Sequence, residues 1–80
     1  MENTREMTYG EKLVGLTFNP SGNPDVDAIK AKYAEIIDLL NKKITPDSTG
    51  QQKRHIAIAI TEAQAAQMWA VKAITLPEYV

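Results

Sequence analysis

Two lysines and a single phenylalanine are the residues of this chain best suited to holding a small anionic ligand. Lys30 and Lys32 lie in the second turn of a helical stretch, near backbone N–H groups that already favour anions. There they either solubilise the surface or meet a phosphate. Lys30 flanks the apolar seam Val26–Ile29–Tyr33, so it can face a groove between subunits rather than bulk water. Phe18 sits in a turn-rich loop rather than on a periodic face. Its ring either packs as a lid on the core or stacks on a nucleobase, an interaction worth about 1–3 kcal/mol per base. Tyr9 offers the same two readings. Lys53 and Arg54 open a later helix, where cations oppose the dipole. With Lys42 and Lys43 across the preceding hinge they make a basic cluster diluted by Asp47. That cluster is either a solvated end or a phosphate site, and Arg54 has the fork geometry for bidentate binding. Thr61, among the few hydroxyls of an apolar run, either bonds its own backbone or lines a ligand pocket.

Catalytic readings lack parts. There is no Gly-rich phosphate loop, no paired metal ligands and no nucleophile motif. Glu35 and Asp38, three residues apart, read as a solvated face. Cysteine is absent, which excludes disulfides and thiolate metal sites, and His55 is the only histidine and reads as structural. The net charge of −1 lacks the electrostatic footprint of a protein that binds DNA or RNA polymers. Binding without an enzyme activity, a cofactor or a metal is the expectation.

Three elements must position these groups. Asn3 with Glu6 gives a capping-box-like start to a short helix near 4–14, which Gly10 weakens by about 1 kcal/mol and Gly15 ends. Residues 16–23 form a loop with turn signals at Asn19-Pro20 and Ser21-Gly22. A second helix spans 23–44, with Asn23 as N-cap, Pro24 at the first position and Asp25 and Asp27 at the positive end of the dipole. Val26, Ile29, Tyr33, Ile36, Ile37, Leu40 and Ile44 repeat along it at helical spacing. Residues 45–50 are a hinge with two candidate N-caps, Thr45 and Thr49. A third helix covers 49–76 and stops before Pro77. The fold class is all-α: an N-terminal arm (1–15) and a two-helix antiparallel hairpin within one domain of residues 1–80.

The third helix is apolar nearly all round. Ile56, Ile60, Ala63, Met68, Ala70 and Ile74 fill one side, and Ile58, Ala65, Trp69, Ala73 and Leu76 much of the rest. Such a helix must be buried nearly all round, and 80 residues cannot do that within one chain. Met68 and Trp69 read as a core or interface pair. With no cysteine to staple a small domain, subunit association is the remaining route to stability. Glu62, Gln64, Gln67 and Lys72 argue against a membrane span, and the polar N-terminus is unlike a signal peptide. A soluble, cytoplasmic oligomer is expected.

Residues 16–76 carry a resemblance. T-F-N-P (17–20), I-K-A-K-x-A-E-I (29–36), P-D-S (46–48), a basic residue at 54 and A-I-T-E-A-Q-A-A-Q-M-W-A-V-K-A-I (59–74) resemble a phage helical hairpin. That hairpin is shared by anti-CBASS cyclic-nucleotide sponges and by the related sponges that defeat Thoeris immunity. The resemblance implies a compact homohexamer in the host cytoplasm. It implies cyclic dinucleotides, such as 3',3'-cGAMP, held between neighbouring subunits by an aromatic ring on the base and a lysine on the phosphates. Some members also hold cyclic trinucleotides at a separate basic site, and the Thoeris branch holds cyclic ADP-ribose isomers. By position the phosphate lysine falls on Lys30, with Lys32 its neighbour. The stacking aromatic falls on Phe18, in place of a family tyrosine, with Tyr9 as second candidate. Arg54 matches the basic residue at the start of the last helix, and Thr61 lies one face away. The Thoeris-type sponges carry a further N-terminal domain ahead of the hairpin, so its absence points to the anti-CBASS branch. The rival reading is an oligomeric protein-interaction adaptor.

Overall fold

The computed structural model describes residues 6–76, and the expected cap Asn3 and stop Pro77 lie outside them. Three helices and no strands make up the described residues: α1 (Tyr9–Val14), α2 (Pro24–Lys42) and α3 (Gly50–Thr75). None of these helices is long and apolar enough to cross a membrane.

Each helix starts where its side chains can satisfy the first free N–H groups. Thr8 caps α1 and forms a reciprocal box with Glu11, so the helix begins after residues 6–8 rather than near residue 4. Asn23 caps α2 through the amide of Asp25, with Pro24 in the first turn. Of the two hinge threonines, Thr49 caps α3, in a box with Gln52. Thr45 instead holds the hinge turn together with Ser48, whose Oγ accepts from the Thr45 amide at 2.9 Å.

α2 lies between the other two helices and packs on both, while α1 and α3 barely meet. The core is small: Val14, Ala34, Ile37 and Ile60, ringed by Leu13, Leu16, Tyr33, Leu40, Ile56 and Ala63. Along α2 the fully inward line is Val26, Lys30, Ala34 and Ile37. The expected seam is therefore split. Ile29, Tyr33 and Leu40 are half-buried, and Ile36 and Ile44 are exposed. Lys30, placed beside the seam by its spacing, stands on the inner line itself.

Gly10 is buried where α1 crosses α2. A Cβ there would lie 2.2 Å from the Ala34 carbonyl oxygen, so the glycine that weakens an isolated helix is what lets the two backbones approach. Asp38 is drawn in at the same place. Its Oδ1 accepts from the Gly10 amide at 2.7 Å, whereas Glu35 stays exposed. The expected solvated Glu35–Asp38 face is thus divided between solvent and packing.

The backbone forms a plate 49 × 40 Å across and 12 Å thick, roughly one helix deep. A single layer leaves α3 half covered. Ile60 and Gln67 point inward, while Ile58, Met68 and Trp69 are exposed, Trp69 at 70 %. Met68, expected on the Ile60 side, stands outside it, and Gln67 holds the inward position.

Candidate ligand-binding site

The site is built around the end of α1. Gly15 adopts the left-handed conformation, φ 64°, and its amide donates to Lys12 O while Leu16 N donates to Glu11 O. This is the paired closure of a helix that stops on glycine. The chain then turns back, and Phe18 N donates to Gly15 O at 2.9 Å.

The following loop is held by its own side chains. Asn19 donates to the Asn23 carbonyl at 2.8 Å and to Asp27 Oδ1 at 3.0 Å, and Ser21 Oγ donates to Asn19 Oδ1 at 2.8 Å. These bonds fix the path from Phe18 into α2.

Lys30 locks the loop from beneath. Only 5 % of it is exposed. Its Nζ donates to Gly15 O at 3.0 Å and to Phe18 O, placing a cation at the C-terminal end of α1, where the carbonyls favour it. The same nitrogen lies 5.4 Å from the centroid of the Phe18 ring, within range of a cation–π attraction. An ammonium carries three donors. Two are taken by these carbonyls, which leaves one for a further acceptor. The Phe18 ring itself is 70 % exposed and does not lie on the core as a lid.

Lys30 and Val71 separate two clefts. One, of about 160 Å³, is bordered by Phe18, Asn19, Val26 and Thr75. The other, of about 390 Å³, runs between α1 and α3 past Leu13, Met68, Gln64 and Gln67. Gln67 is buried as a residue, at 5 % exposure, and its amide, which bonds no other described residue, keeps access to solvent. Sequence reasoning passed it over. The signal was present: Ile56, Ile60, Ala63, Gln67 and Val71 recur at spacings of three and four, so a polar residue stands in an otherwise apolar inward stripe.

The remaining candidates lie elsewhere on the chain. Lys32, two residues from Lys30 on α2, is exposed, as is Tyr9 at the start of α1. Arg54 and Thr61 are exposed on α3, about two turns apart and so on one flank. Thr61 borders a shallow hollow with Ala57, Ile58 and Glu62. Within one chain, Phe18 and Lys30 are brought together, and Arg54 and Thr61 share no cleft with them. At the hinge end, Lys43, Asp47, Gln52 and His55 line a cleft of about 470 Å³. His55 is exposed there, with Nδ1 at 2.7 Å from Gln51 O.

The family match covers this whole arrangement. The Acb2/Tad1 hairpin domain matches residues 11–75, from α1 through the last turn of α3. The chain belongs to that family, the anti-CBASS and anti-Thoeris sponges. No curated protein and no solved structure matches it. Besides α2, the hinge and α3, the match takes in the last four residues of α1 and the Phe18 loop. Lys30, Phe18, Arg54, Thr61 and Lys32 all fall inside the matched span, and Tyr9 falls outside it.

Proposed function

We propose that this protein is a sponge that binds and sequesters cyclic nucleotide messengers, leaves them intact, and so keeps a CBASS effector from being activated in the host cytoplasm. The observation that carries the reading is the Lys30–Phe18 pair: a buried ammonium with one donor to spare, beside an aromatic residue that is largely exposed. Phosphate needs the first and a nucleobase the second.

A cyclic dinucleotide has two bases and two phosphates. A two-fold interface supplies two copies of each contact from one Phe18 and one Lys30. Cyclic ADP-ribose isomers have a single base and use such symmetry less well, which favours the CBASS branch over the Thoeris one. The plate supports the required assembly, because a single layer of helices has no other way to cover Ile58, Met68 and Trp69. A hexamer is the family's assembly and is proposed for this chain. Arg54 and Thr61, on the outer flank of α3, are proposed as a second, basic site for cyclic trinucleotides, with Lys32 and Tyr9 as further contacts.

A sponge works by stoichiometry and tight binding, so the affinity is nanomolar, about −12 kcal/mol. An oligomeric adaptor is favoured by one observation, the exposed Trp69, which borders a hollow with Ala65, Met68 and Lys72. A depletion-and-recovery assay decides between the two. The protein is incubated with cyclic di- and trinucleotides and cyclic ADP-ribose isomers and filtered, then denatured, and both fractions are chromatographed. A nucleotide that leaves the filtrate and returns intact identifies a sponge and its ligand. If none is depleted, the adaptor reading replaces it.

A further inference from the structure

We infer that Gln67 is the residue that reads the base of the ligand, from the cleft on the α3 side of Lys30. The inference rests on the sponge reading and adds a specificity determinant to it. The Gln67 stem is packed away while its amide, bonded to no other described residue, is not sealed off from solvent, so its donor and acceptor are open to a ligand in the cleft. Gln67 borders an open cleft rather than a packed wall, and Lys30 borders the same cleft. Its apolar sides, Leu13, Val14, Met68 and Val71, suit the faces of a flat heteroaromatic ring. The volume of about 390 Å³ leaves room for a base with its sugar. Phe18 borders the other cleft and is absent from this one, so in a two-fold site the Phe18 that stacks on a base and the Gln67 that reads its edge belong to different protomers.

A carboxamide offers one acceptor next to one donor. It pairs with a purine edge that presents a donor beside an acceptor, as adenine does with its 6-amino group and N7. A carboxylate in the same place only accepts, which suits the two adjacent N–H donors of guanine and leaves adenine's acceptor unmatched.

The test is calorimetric titration of the full chain with cyclic di-AMP, cyclic di-GMP, and a cyclic dinucleotide bearing unsubstituted purine in place of adenine. The wild type is expected to bind the purine analogue about tenfold or more weakly than cyclic di-AMP. Gln67→Leu should close that gap. Gln67→Glu should lower the ratio of cyclic di-AMP to cyclic di-GMP affinity by about tenfold. The inference is overturned if the wild type binds the purine analogue as tightly as cyclic di-AMP, a comparison that needs no variant to fold. It is also overturned if folded Gln67 variants keep the wild-type ratios. In both cases the nucleotides still bind and the sponge reading stands. If none of the three ligands binds, this inference is overturned, and the depletion assay with its wider panel decides separately whether the sponge reading falls too.

Discussion

The amide of Gly10 donates to the carboxylate of Asp38 at 2.7 Å, across 28 residues of sequence. Gly10 is the second residue of α1, so its N–H is one of those a helix cannot satisfy itself. Thr8 takes the next one, on Glu11, and α2 supplies the acceptor for this one. A negative charge there also suits the α1 dipole. The arm is thereby fixed on the hairpin by a glycine and an acid that sequence spacing does not connect.

Gly10→Ala should destabilise the protein despite alanine's better helix propensity. The gain of about 1 kcal/mol in propensity is outweighed by a Cβ placed 2.2 Å from a backbone oxygen, since overpacking costs about 1–3 kcal/mol or more. Asp38→Ala should cost about 1–3 kcal/mol by stranding a part-buried donor, and Asp38→Asn less. Thermal unfolding at fixed protein concentration reads both. A Gly10→Ala protein as stable as wild type would contradict the close crossing of α1 and α2.

Phe18→Ala separates ligand contact from folding. The ring is 70 % exposed, so stability should change by less than about 1 kcal/mol. Ligand affinity should fall by about 1–3 kcal/mol per lost stack. An unchanged dissociation constant in titration would remove Phe18 from the site.

Lys30→Met is expected to fail on both counts. The variant keeps the aliphatic stem but leaves the Gly15 and Phe18 carbonyls without their ammonium, at a cost of about 1–3 kcal/mol. It should also lose the phosphate contact. Binding measured well below its melting temperature distinguishes the two losses, and full retention of ligand there would exclude Lys30 as a contact.

Trp69→Glu tests the assembly. The side chain stands outside the single-chain core, so the hairpin should keep its helical circular dichroism. Sedimentation should report smaller species, because a charge would occupy the apolar face of α3. A sedimentation coefficient equal to the wild type's would place the interface elsewhere.

Much of this architecture is legible in the residues. Asn23-Pro24 marks the start of α2, Gly15 the end of α1, and Thr49 with Gln52 the start of α3. These are local signals, settled within a few residues. The same reasoning cannot say which part of a broad apolar face meets its own chain. Residues 26–40 hold enough apolar positions for two overlapping stripes, and only packing shows that Lys30 and Ala34 are inward and Ile36 outward. For the same reason Met68 and Gln67 exchange places. The resemblance assigns the base to Phe18 and the phosphates to Lys30, but not a contact between them. Their contact follows from the path of the Asn19–Asn23 loop, which no spacing encodes.

A lysine on a surface samples many rotamers, and fixing one removes up to about 2 kcal/mol of conformational entropy. In this protein that freedom is already gone before any ligand arrives, because two backbone carbonyls hold the Lys30 ammonium in place. The loss belongs to the folding of the loop, so binding is spared it. On the proposed reading, a phosphate would meet a charge already held in place, and the complex would keep more of its gross interaction energy as affinity.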